Sequence, residues 1–405
     1  MNISLENLGY IEKAEKIKLN KFNVYIGENS CGKTYFSKLT YYLSDFRLIF
    51  PIYKKYFIKK IQTAIESNLK EVTYTEDEVI GFFRKLENVI EKEFSMKLGL
   101  PKKNFKNFKL NLDVEFLDNK DIKISSNVSS KNNLVTNEKY ACFDFMNHFN
   151  DYIVCHYLPA ARSNYMVNYK HLISSMLMSF DNKLETSILP DIEMKFLNDI
   201  MNVDTKSNGK HVAYANLIEK EIFKNAKLII SSPKTQDMPT FKYKITNQKK
   251  SLDLVAASSS ITELSPLLMY LRHGFLLKNS REKIIIDEPE LSLHPKAQAK
   301  LVEILVKLCN DGLNITLVTH SPFILEALNN HLLRDKIKDK KLSKKIKAIP
   351  GISSDNVSAY LFEDNTIKDI LDKDIKLIDD KLIDSFENLN IDYQKMRDIE
   401  FDEND

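Results

Sequence analysis

Short, continuous apolar runs that end abruptly in glycine, acidic or histidine residues are the main pattern in the first and last thirds of the chain. Residues 22–26 read FNVYI, residues 284–286 are three isoleucines, and residues 314–319 read NITLVT. Such runs predict strands that are buried on both faces, as in a parallel sheet covered by helices. Helix-like stretches follow them, YFSKLTYYL after the first run and residues 296–311 after the second, so the pattern predicts an α/β fold.

A long insertion separates the first two of these strands. Residues 27–283 lie between them, whereas one βαβ unit takes about 30 residues. Residues 46–100 and 166–225 carry apolar positions at helical spacing, and residues 109–126 and 239–254 alternate in the manner of β-hairpins. The predicted fold class is therefore α/β, with a mixed or parallel sheet, flanking helices and mainly helical insertions.

Composition and charge are those of a globular protein with an uneven charge distribution. The 405 residues are 43% hydrophobic, which is enough for a packed core in about two to three domains. The net charge is +3, but residues 369–405 hold 13 Asp and Glu against 5 Lys and Arg, a net charge of −8, so the remaining chain carries +11. A basic body with an acidic tail permits contact with nucleic acid without requiring it.

Cysteine usage and hydropathy indicate a cytoplasmic protein. Cys31, Cys142, Cys155 and Cys309 are scattered without paired spacing, so neither a disulfide framework nor a zinc site is predicted. The N-terminal sequence carries acids and lysines where a signal peptide needs an apolar core, and no window approaches 18 consecutive apolar residues. We therefore expect no membrane-spanning or targeting segment.

The first apolar run leads directly into a glycine loop, GENSCGKT, followed by a helix-like stretch. This order and spacing fit the G-x-x-x-x-G-K-[ST] phosphate loop, in which Gly27 and Gly32 allow tight turns and backbone N–H groups bind phosphate oxygens. Lys33 would reach the β- and γ-phosphates and Thr34 would coordinate Mg²⁺, so ATP and Mg²⁺ are the predicted cofactors. A surface loop with this spacing by chance is the alternative. The candidate nucleotide-binding residues here are Gly27, Glu28, Asn29, Ser30, Cys31, Gly32, Lys33, Thr34 and Tyr35.

The second and third apolar runs end in the residues that hydrolysis would need. Asp287 and Glu288 follow the isoleucines at the carboxyl end of the predicted strand, where open α/β sheets bind ligands. We expect Asp287 to bind Mg²⁺ directly or through water, and Glu288 to deprotonate the attacking water. His320 ends the next strand and would bind the γ-phosphate or that water. The alternatives are a solvated acidic turn and an ordinary core or surface histidine.

These three motifs in this order resemble the ATP-binding-cassette type of ATPase. The sequences DEPE, LHP and THSP are similar to those of the branch that contains SMC-like, RecF-like and OLD-family ATPases, often described as AAA-family ATPases. The resemblance covers roughly residues 1–45, 150–165 and 226–365. It implies Mg²⁺-dependent hydrolysis of ATP to ADP and phosphate, and a homodimer or larger homo-oligomer in which ATP lies between two heads.

The resemblance also assigns residues outside the three motifs. In this family a serine- and glycine-containing signature reaches the γ-phosphate of the partner, and the matching segment AASSSITELSPLLMYL contains no glycine. A serine N-cap on a core helix is the alternative. Arg162, in CHYLPAARSNY, would sense nucleotide or couple the head to its insertion, unless it is a plain surface arginine. Glu290 and His294 would lie at the nucleotide edge and the dimer interface. The candidate signature residues are Ser258, Ser259 and Ser260.

Combined with the apolar pattern, the resemblance divides the chain into head and insertions. The predicted parts are an N-terminal head segment with the phosphate loop (1–45), a helical and β insertion (46–149), a lid-loop element (150–165), a helical insertion (166–225), a C-terminal head segment with signature, acidic strand and histidine loop (226–368), and an acidic helix or tail (369–405).

The biological role predicted by resemblance is that of a stand-alone ATPase of bacterial anti-phage defence, similar to Septu-like or PARIS-like sensors that act with a separate nuclease or toxin. A nucleotide-gated scaffold with little turnover and a RecF-like DNA-repair ATPase are the alternatives. Basic stretches with aromatics at 52–60 and 101–109, and eight basic residues within 334–347, suit DNA or RNA phosphates or are solvated lysine faces.

Overall fold

The structure is a computed structural model that describes twelve stretches of the chain. They are residues 2–67, 71–100, 105–113, 122–125, 145, 154–181, 189–205, 209–231, 238–246, 248–274, 282–337 and 349–379. Predictions for residues 101–104, 338–347 and 380–405, and for Cys142, lie outside these stretches. Among the helices of the described stretches, none is both long and apolar enough to cross a membrane.

Within the described stretches, strands and helices occur in groups of up to three in the first two thirds of the chain and alternate singly between residues 259 and 363. The helices are α1 (Lys33–Ser44), α2 (Phe46–Glu66), α3 (Glu76–Lys97), α4 (Arg162–Asp181), α5 (Asp191–Met201), α6 (Val212–Ile218), α7 (Ser259–Met269), α8 (Pro295–Asn310) and α9 (Pro322–Lys336). The strands are β1 (Asn2–Leu8), β2 (Ile11–Lys18), β3 (Phe22–Gly27), β4 (Glu71–Tyr74), β5 (Lys109–Asp113), β6 (Ile122–Ser125), β7 (Val154–Leu158), β8 (Ala226–Ser231), β9 (Thr240–Ile245), β10 (Leu252–Asp253), β11 (Glu282–Asp287), β12 (Leu313–Thr319), β13 (Val357–Glu363) and β14 (Thr366–Asp369).

A nine-stranded sheet forms the centre of the molecule, in the order β5-β1-β2-β14-β13-β3-β12-β11-β7. The run from β13 to β7 is parallel throughout, whereas β1, β2 and β5 pair antiparallel at the opposite side. This mixed, mainly parallel sheet with flanking helices confirms the predicted α/β fold class. The three strands predicted from apolar runs, β3, β11 and β12, lie side by side, and each is buried along its full length.

Burial on both faces explains why these strands are continuous apolar runs. On β11, Ile284 and Ile286 pack into the core on one side of the sheet, while Ile285 packs into the core on the other side. On β3, Val24 and Tyr25 divide between the same two cores. Successive side chains of a strand point to opposite faces, so burial on both faces favours apolar residues at consecutive positions.

Some of the predictions for the insertions are correct and one is wrong. Residues 46–100 form α2 and α3 with the short strand β4, and residues 239–254 form the hairpin of β9 and β10, to which β8 adds a third strand. The hairpin prediction for residues 109–126 is wrong, since β5 pairs with β1 and β6 pairs with β4. Alternation identifies a strand but not its partner, because the apolar side of β5 matches that of β1 as well as it would a neighbouring strand.

The aromatic residues of the basic stretch 52–60 are mostly core residues. Tyr53 and Phe57 are fully buried on the inner side of α2, and Tyr56 alone of the three aromatics is exposed, at 41%. The prediction that these rings are available to stack on bases is therefore wrong for Tyr53 and Phe57. The rings recur at helical spacing and pack into the core. The lysines between them lie on the outer face of α2 and stay outside that core.

Candidate functional site

The glycine loop between β3 and α1 has a conformation that only glycine accommodates at two positions. Gly27 has φ 150° and Gly32 has φ 98°. A Cβ atom at Gly27 would lie 2.3 Å from the carbonyl oxygen of Phe362, and one at Gly32 would lie 2.7 Å from Cγ1 of Ile11. Because both glycines meet backbone or core atoms, the loop is held against the sheet at the N-terminus of α1, where N–H groups point outward.

Lys33 places its ammonium group at the centre of this loop. The residue is 4% exposed, and its Nζ donates to the carbonyl oxygens of Gly27, at 2.8 Å, and Glu28. The same nitrogen lies 3.4 Å from Sγ of Cys31 and 3.3 Å from Nδ1 of His320. Burial lowers the pKa of Lys33, and the nearby Cys31, Asp287 and Glu288 oppose that effect. A buried cation inside a ring of loop atoms is suited to bind phosphate oxygens.

The remaining loop residues line the site or surround its entrance. Glu28 and Asn29 line an open cleft of ≈ 670 Å³ that also includes the acidic turn. Ser30 and Thr34 are exposed, and the Sγ of Cys31 donates to the carbonyl oxygen of Glu28 at 2.9 Å. Tyr35 stacks on Tyr10, with ring centroids 6.5 Å apart and ring planes within 8°. Tyr10 itself is 56% exposed, so it presents a free aromatic face beside the phosphate loop.

The acidic turn follows β11 at the same edge of the sheet. Parallel pairing of β11 with β12, and of β12 with β3, brings the carboxyl ends of all three strands together. Glu288 has φ 50°, a left-handed conformation that costs a non-glycine residue roughly 1–2 kcal/mol. Its N–H donates to the carbonyl oxygen of Val318 at 2.8 Å. Strain of this kind is concentrated at functional sites, where surrounding contacts maintain it.

His320 connects the phosphate loop to this turn. Its Nδ1 lies 3.0 Å from the carbonyl oxygen of Gly27, and its Nε2 lies 3.6 Å from Oε1 of Glu288. Its backbone N–H donates to Oε1 of Glu290 at 2.7 Å. The proximity of His320 lowers the pKa of Glu288, with Arg162 and Lys33 adding to the effect, so the carboxylate is ionised near neutral pH.

Asp287 is the buried member of the acidic pair. It is 5% exposed, and its Oδ2 accepts a hydrogen bond of 3.1 Å from the hydroxyl of Tyr157, which lies 2.8 Å from the hydroxyl of Ser37. Burial, followed by the repulsion of Glu288, raises the pKa of Asp287 to about 6. A buried carboxylate beside a second carboxylate is unfavourable alone, and a divalent cation relieves it, so the donor set fits Mg²⁺.

Asp287→Asn is expected to stabilise the protein when nucleotide and metal are withheld. A carboxyl group whose pKa is raised from 3.8 to about 6 stabilises the fold below its unfolded pKa, and this contribution is lost as the pH rises through about 6. The lost contribution is about 3 kcal/mol. We therefore expect the variant to unfold a few degrees above wild type at pH 8, and the difference to shrink at pH 5. Thermal unfolding in EDTA measures both.

Asp45→Asn is a control for which we expect the opposite change in stability. Asp45 is also fully buried, but Arg47 and Lys195 contact its carboxylate at 2.8 and 2.6 Å, and these partners outweigh burial and lower its pKa. Its replacement takes the buried counter-ion away from Arg47 and Lys195, whose side chains are partly exposed, and should destabilise the protein. A lower unfolding midpoint for both variants at pH 8 would contradict the electrostatic cost assigned to Asp287.

Arg162 lies beneath the acidic turn and not on the surface. It is 1% exposed, which excludes the alternative of a plain surface arginine. Its guanidinium donates to the main-chain carbonyl oxygens of Asp287, at 2.6 Å, and Glu288, at 3.0 Å, and lies 3.4 Å from Oε2 of Glu263 on α7. It therefore contacts the main chain of the turn and is not among the residues that line the cleft.

The predicted signature and interface residues lie apart from this cleft. Ser258 is the N-cap residue of α7 without a side-chain cap bond, and its hydroxyl lies 3.1 Å from that of Ser260. Ser258 and Ser259 are exposed, and none of the three serines lines the cleft. His294 is exposed at the N-cap of α8, where its Nδ1 accepts from the N–H of Lys296 at 3.3 Å.

Several residues that contact the catalytic candidates could not be identified from the sequence. Three such residues belong to no motif, and only the tertiary fold brings them to the site: Tyr157, Ser37 and Glu263. A tyrosine in a buried strand is one usable signal, because its hydroxyl needs a partner there. Glu290 was assigned to the nucleotide edge by resemblance, and the structure shows its carboxylate bonded to the backbone of His320.

Among the comparisons with known proteins, a family match covers the second half of this site. Residues 275–326, which include β11, the acidic turn, α8, β12 and His320, match the family AAA_21, described as "AAA domain, putative AbiEii toxin, Type IV TA system". No curated protein matches the chain. The crystal structure of an SMC head bound to the C-terminal winged-helix domain of ScpA matches at 9% identity and a TM-score of 0.38, over 91% of this chain and 96% of that chain. The family match supports an AAA-type ATPase domain.

Proposed function

We propose that the chain binds ATP with Mg²⁺ and hydrolyses it to ADP and phosphate. The observation that carries this proposal is the convergence of the glycine loop, the acidic pair and His320 at the carboxyl ends of three adjacent parallel strands, connected by the contacts of His320 with Gly27, Lys33 and Glu288. A loop that binds phosphates beside an ionised carboxylate and a histidine is the arrangement that hydrolysis of a phosphoanhydride requires.

Each residue has a defined task in this mechanism. The loop N–H groups and the ammonium of Lys33 bind the phosphates, and Thr34 and Asp287 would hold Mg²⁺, which neutralises phosphate charge when bound. Glu288 takes a proton from the attacking water as its oxygen bonds to the γ-phosphorus and the bond to the ADP oxygen breaks. His320 holds the loop and the carboxylate at a constant separation and binds the water or the transferred phosphoryl group.

The base of the nucleotide would pack against Tyr10. This ring is 56% exposed and stacks on Tyr35, the residue that follows Thr34 at the start of α1. An exposed aromatic face at this point offers a stacking surface for a planar base.

We further propose that two heads assemble around ATP as a homodimer or larger homo-oligomer. Ser258 and Ser259 are exposed at the N-terminus of α7 and do not line the cleft of their own subunit. Leu252 and Val255, which are 39% and 70% exposed, lie in the same segment. Exposed apolar side chains beside hydroxyls at a helix N-terminus suit a contact with the nucleotide of a second copy.

Turnover of ATP by the purified chain tests the enzymatic proposal. We expect phosphate release that requires Mg²⁺ and is abolished by EDTA, together with ATP binding by isothermal titration calorimetry. Binding without phosphate release would refute hydrolysis, and absence of binding would refute the nucleotide site altogether.

A nucleotide-gated scaffold with little turnover is the second candidate function. It is favoured by the absence of glycine from the serine segment, because a Cβ at each position restricts how closely the backbone can approach a phosphate. A measurement of oligomeric state with ATP, together with the turnover assay, distinguishes the scaffold from the ATPase. The scaffold would dimerise with ATP and release no phosphate.

The biological role is proposed as the sensor or regulatory ATPase of an anti-phage defence system with a separate nuclease or toxin as effector. The description of the matched family as a toxin of a type IV toxin–antitoxin system supports a role of this general kind. Exposed lysines such as Lys55 and Lys59 on α2 suit contact with the phosphates of DNA or RNA, the further partner that we propose. A neighbouring nuclease, toxin or retron gene would support the role, and a neighbourhood without one would argue against it.

A further inference from the structure

We infer that Arg162 is a positioning residue that holds the catalytic turn in its reactive geometry and connects it to α7, the helix that carries Ser258–Ser260. The inference rests on the proposed ATPase function and deepens it. It assigns to one buried side chain the link between the serine segment and the base, Glu288.

The turn is held from both sides. The N–H of Glu288 donates to Val318 on one side, and on the other side the two terminal nitrogens of Arg162 donate to the carbonyl oxygens of Asp287 and Glu288. Two consecutive peptide groups are thereby fixed in a residue pair whose second member has φ 50°. Because the direction of a side chain follows from its backbone, Arg162 determines where both carboxylates point.

The same guanidinium also forms a hydrogen bond to α7. Its Nε donates to the main-chain carbonyl oxygen of Glu263 at 2.9 Å, and its terminal nitrogen lies 3.4 Å from Oε2 of the same residue. The other carboxylate oxygen of Glu263 accepts a hydrogen bond from Ser163, the neighbour of Arg162. Glu263 lies on the helix that begins at the serine segment and is 8% exposed. A displacement of α7 therefore acts on the turn through one rigid planar group.

The chemistry of the contact requires arginine. Two carbonyls of the turn, the carbonyl of Glu263 and the carbonyl of Pro159, at 3.3 Å, all accept from this one side chain, and the carboxylate of Glu263 lies within ion-pair distance. A planar fork with five donors can satisfy them together, whereas a lysine ammonium is a single point that cannot span them. A buried cation with one direct carboxylate partner is also a weak means of gaining stability, and a well-packed apolar residue is often as good. The arrangement therefore indicates a geometric role beyond packing.

Arg162→Lys tests this role, because it keeps the charge and loses the fork. We expect ATP affinity to remain within about threefold, because the cleft does not contain Arg162, while kcat falls at least about 30-fold, an order expected when the base is misplaced. Glu263→Gln keeps the carbonyl and loses the carboxylate contact, so a smaller loss of kcat with unchanged affinity is expected. The double variant should lose less than the product of the two single losses, since both act through one contact.

Arg272→Lys is the matched control. Arg272 is another largely buried arginine, which pairs with Glu219 at 2.7 Å and donates to the carbonyl oxygen of Leu228 at 2.9 Å, and it has no contact with the acidic turn. We expect it to lower the unfolding midpoint to a similar extent as Arg162→Lys and to leave kcat within about twofold of wild type.

The outcomes separate the inference from the function on which it rests. A kcat of Arg162→Lys equal to that of Arg272→Lys would show a merely structural role, and a loss of ATP affinity at unchanged kcat would show a nucleotide sensor. Either result overturns the inference while wild-type turnover stands. Absence of turnover in the wild type overturns both. If Arg162→Lys does not fold, the kcat and affinity of Glu263→Gln decide in the same way.

Discussion

Glu288→Gln is expected to bind ATP as well as wild type and to hydrolyse it roughly 10²–10⁴-fold more slowly, the usual contribution of a general base. Glu288 directly follows β11, is ionised because His320 lowers its pKa, and has its backbone held by Val318 and Arg162. Glutamine has the same shape but cannot accept the proton of water. Phosphate release and calorimetric binding of ATP measure the two expected results.

Glu290→Gln is the control within the same turn. The Oε1 of Glu290 accepts the N–H of His320, and a glutamine oxygen can accept the same hydrogen bond, so turnover should fall by less than tenfold. Equal losses in the two variants, or unchanged turnover in Glu288→Gln, would refute the assignment of Glu288 as the base.

Lys33→Ala is expected to weaken ATP binding by at least about tenfold and to abolish measurable turnover, because a charge-assisted contact to the phosphates is lost in both ground state and transition state. The ammonium is buried among the carbonyl oxygens of Gly27 and Glu28 and beside His320. Its removal takes away the positive charge at the centre of the loop. Titration of a fluorescent ATP analogue and phosphate release measure the effects.

Lys21→Ala controls for the general loss of a positive charge. Lys21 is exposed and precedes β3 at the end of the strand opposite the loop, so both ATP affinity and turnover should stay within about twofold of wild type. An affinity of Lys33→Ala as high as that of Lys21→Ala would remove Lys33 from the phosphate site.

The central sheet was predictable because its signals are local. The consecutive apolar residues of β3, β11 and β12 follow from burial on both faces, and glycine at positions 27 and 32 follows from backbone conformations and close approaches that a Cβ forbids. The partners of edge strands were not predictable in the same way. The strand β5 carries the alternation of a hairpin strand but extends the sheet at β1, since alternation specifies a face and not a neighbour.

The residues of the candidate site also divide into those with a local sequence signal and those without one. Lys33, Asp287, Glu288 and His320 stand at strand ends and in a spaced motif, so their types and positions were readable. Tyr157 reaches Asp287 across 130 positions of the chain, and the alternation of its strand does not say which neighbour that strand will have. Arg162 was identified only through the family resemblance, which implied that it senses nucleotide or couples the head to its insertion. Neither role predicts its contact with the backbone of the acidic turn.

By itself the sequence determined the fold class, the strand ends that carry acids and histidine, and the glycine loop, because each depends on side-chain size, polarity and spacing over a few residues. Only the tertiary structure decided what holds those groups in place. Arg162 acts on main-chain carbonyl oxygens of Asp287 and Glu288, and every residue has such an oxygen, so a contact of this kind leaves no trace in the pattern of side chains. It exists only where the fold turns those oxygens toward a buried guanidinium.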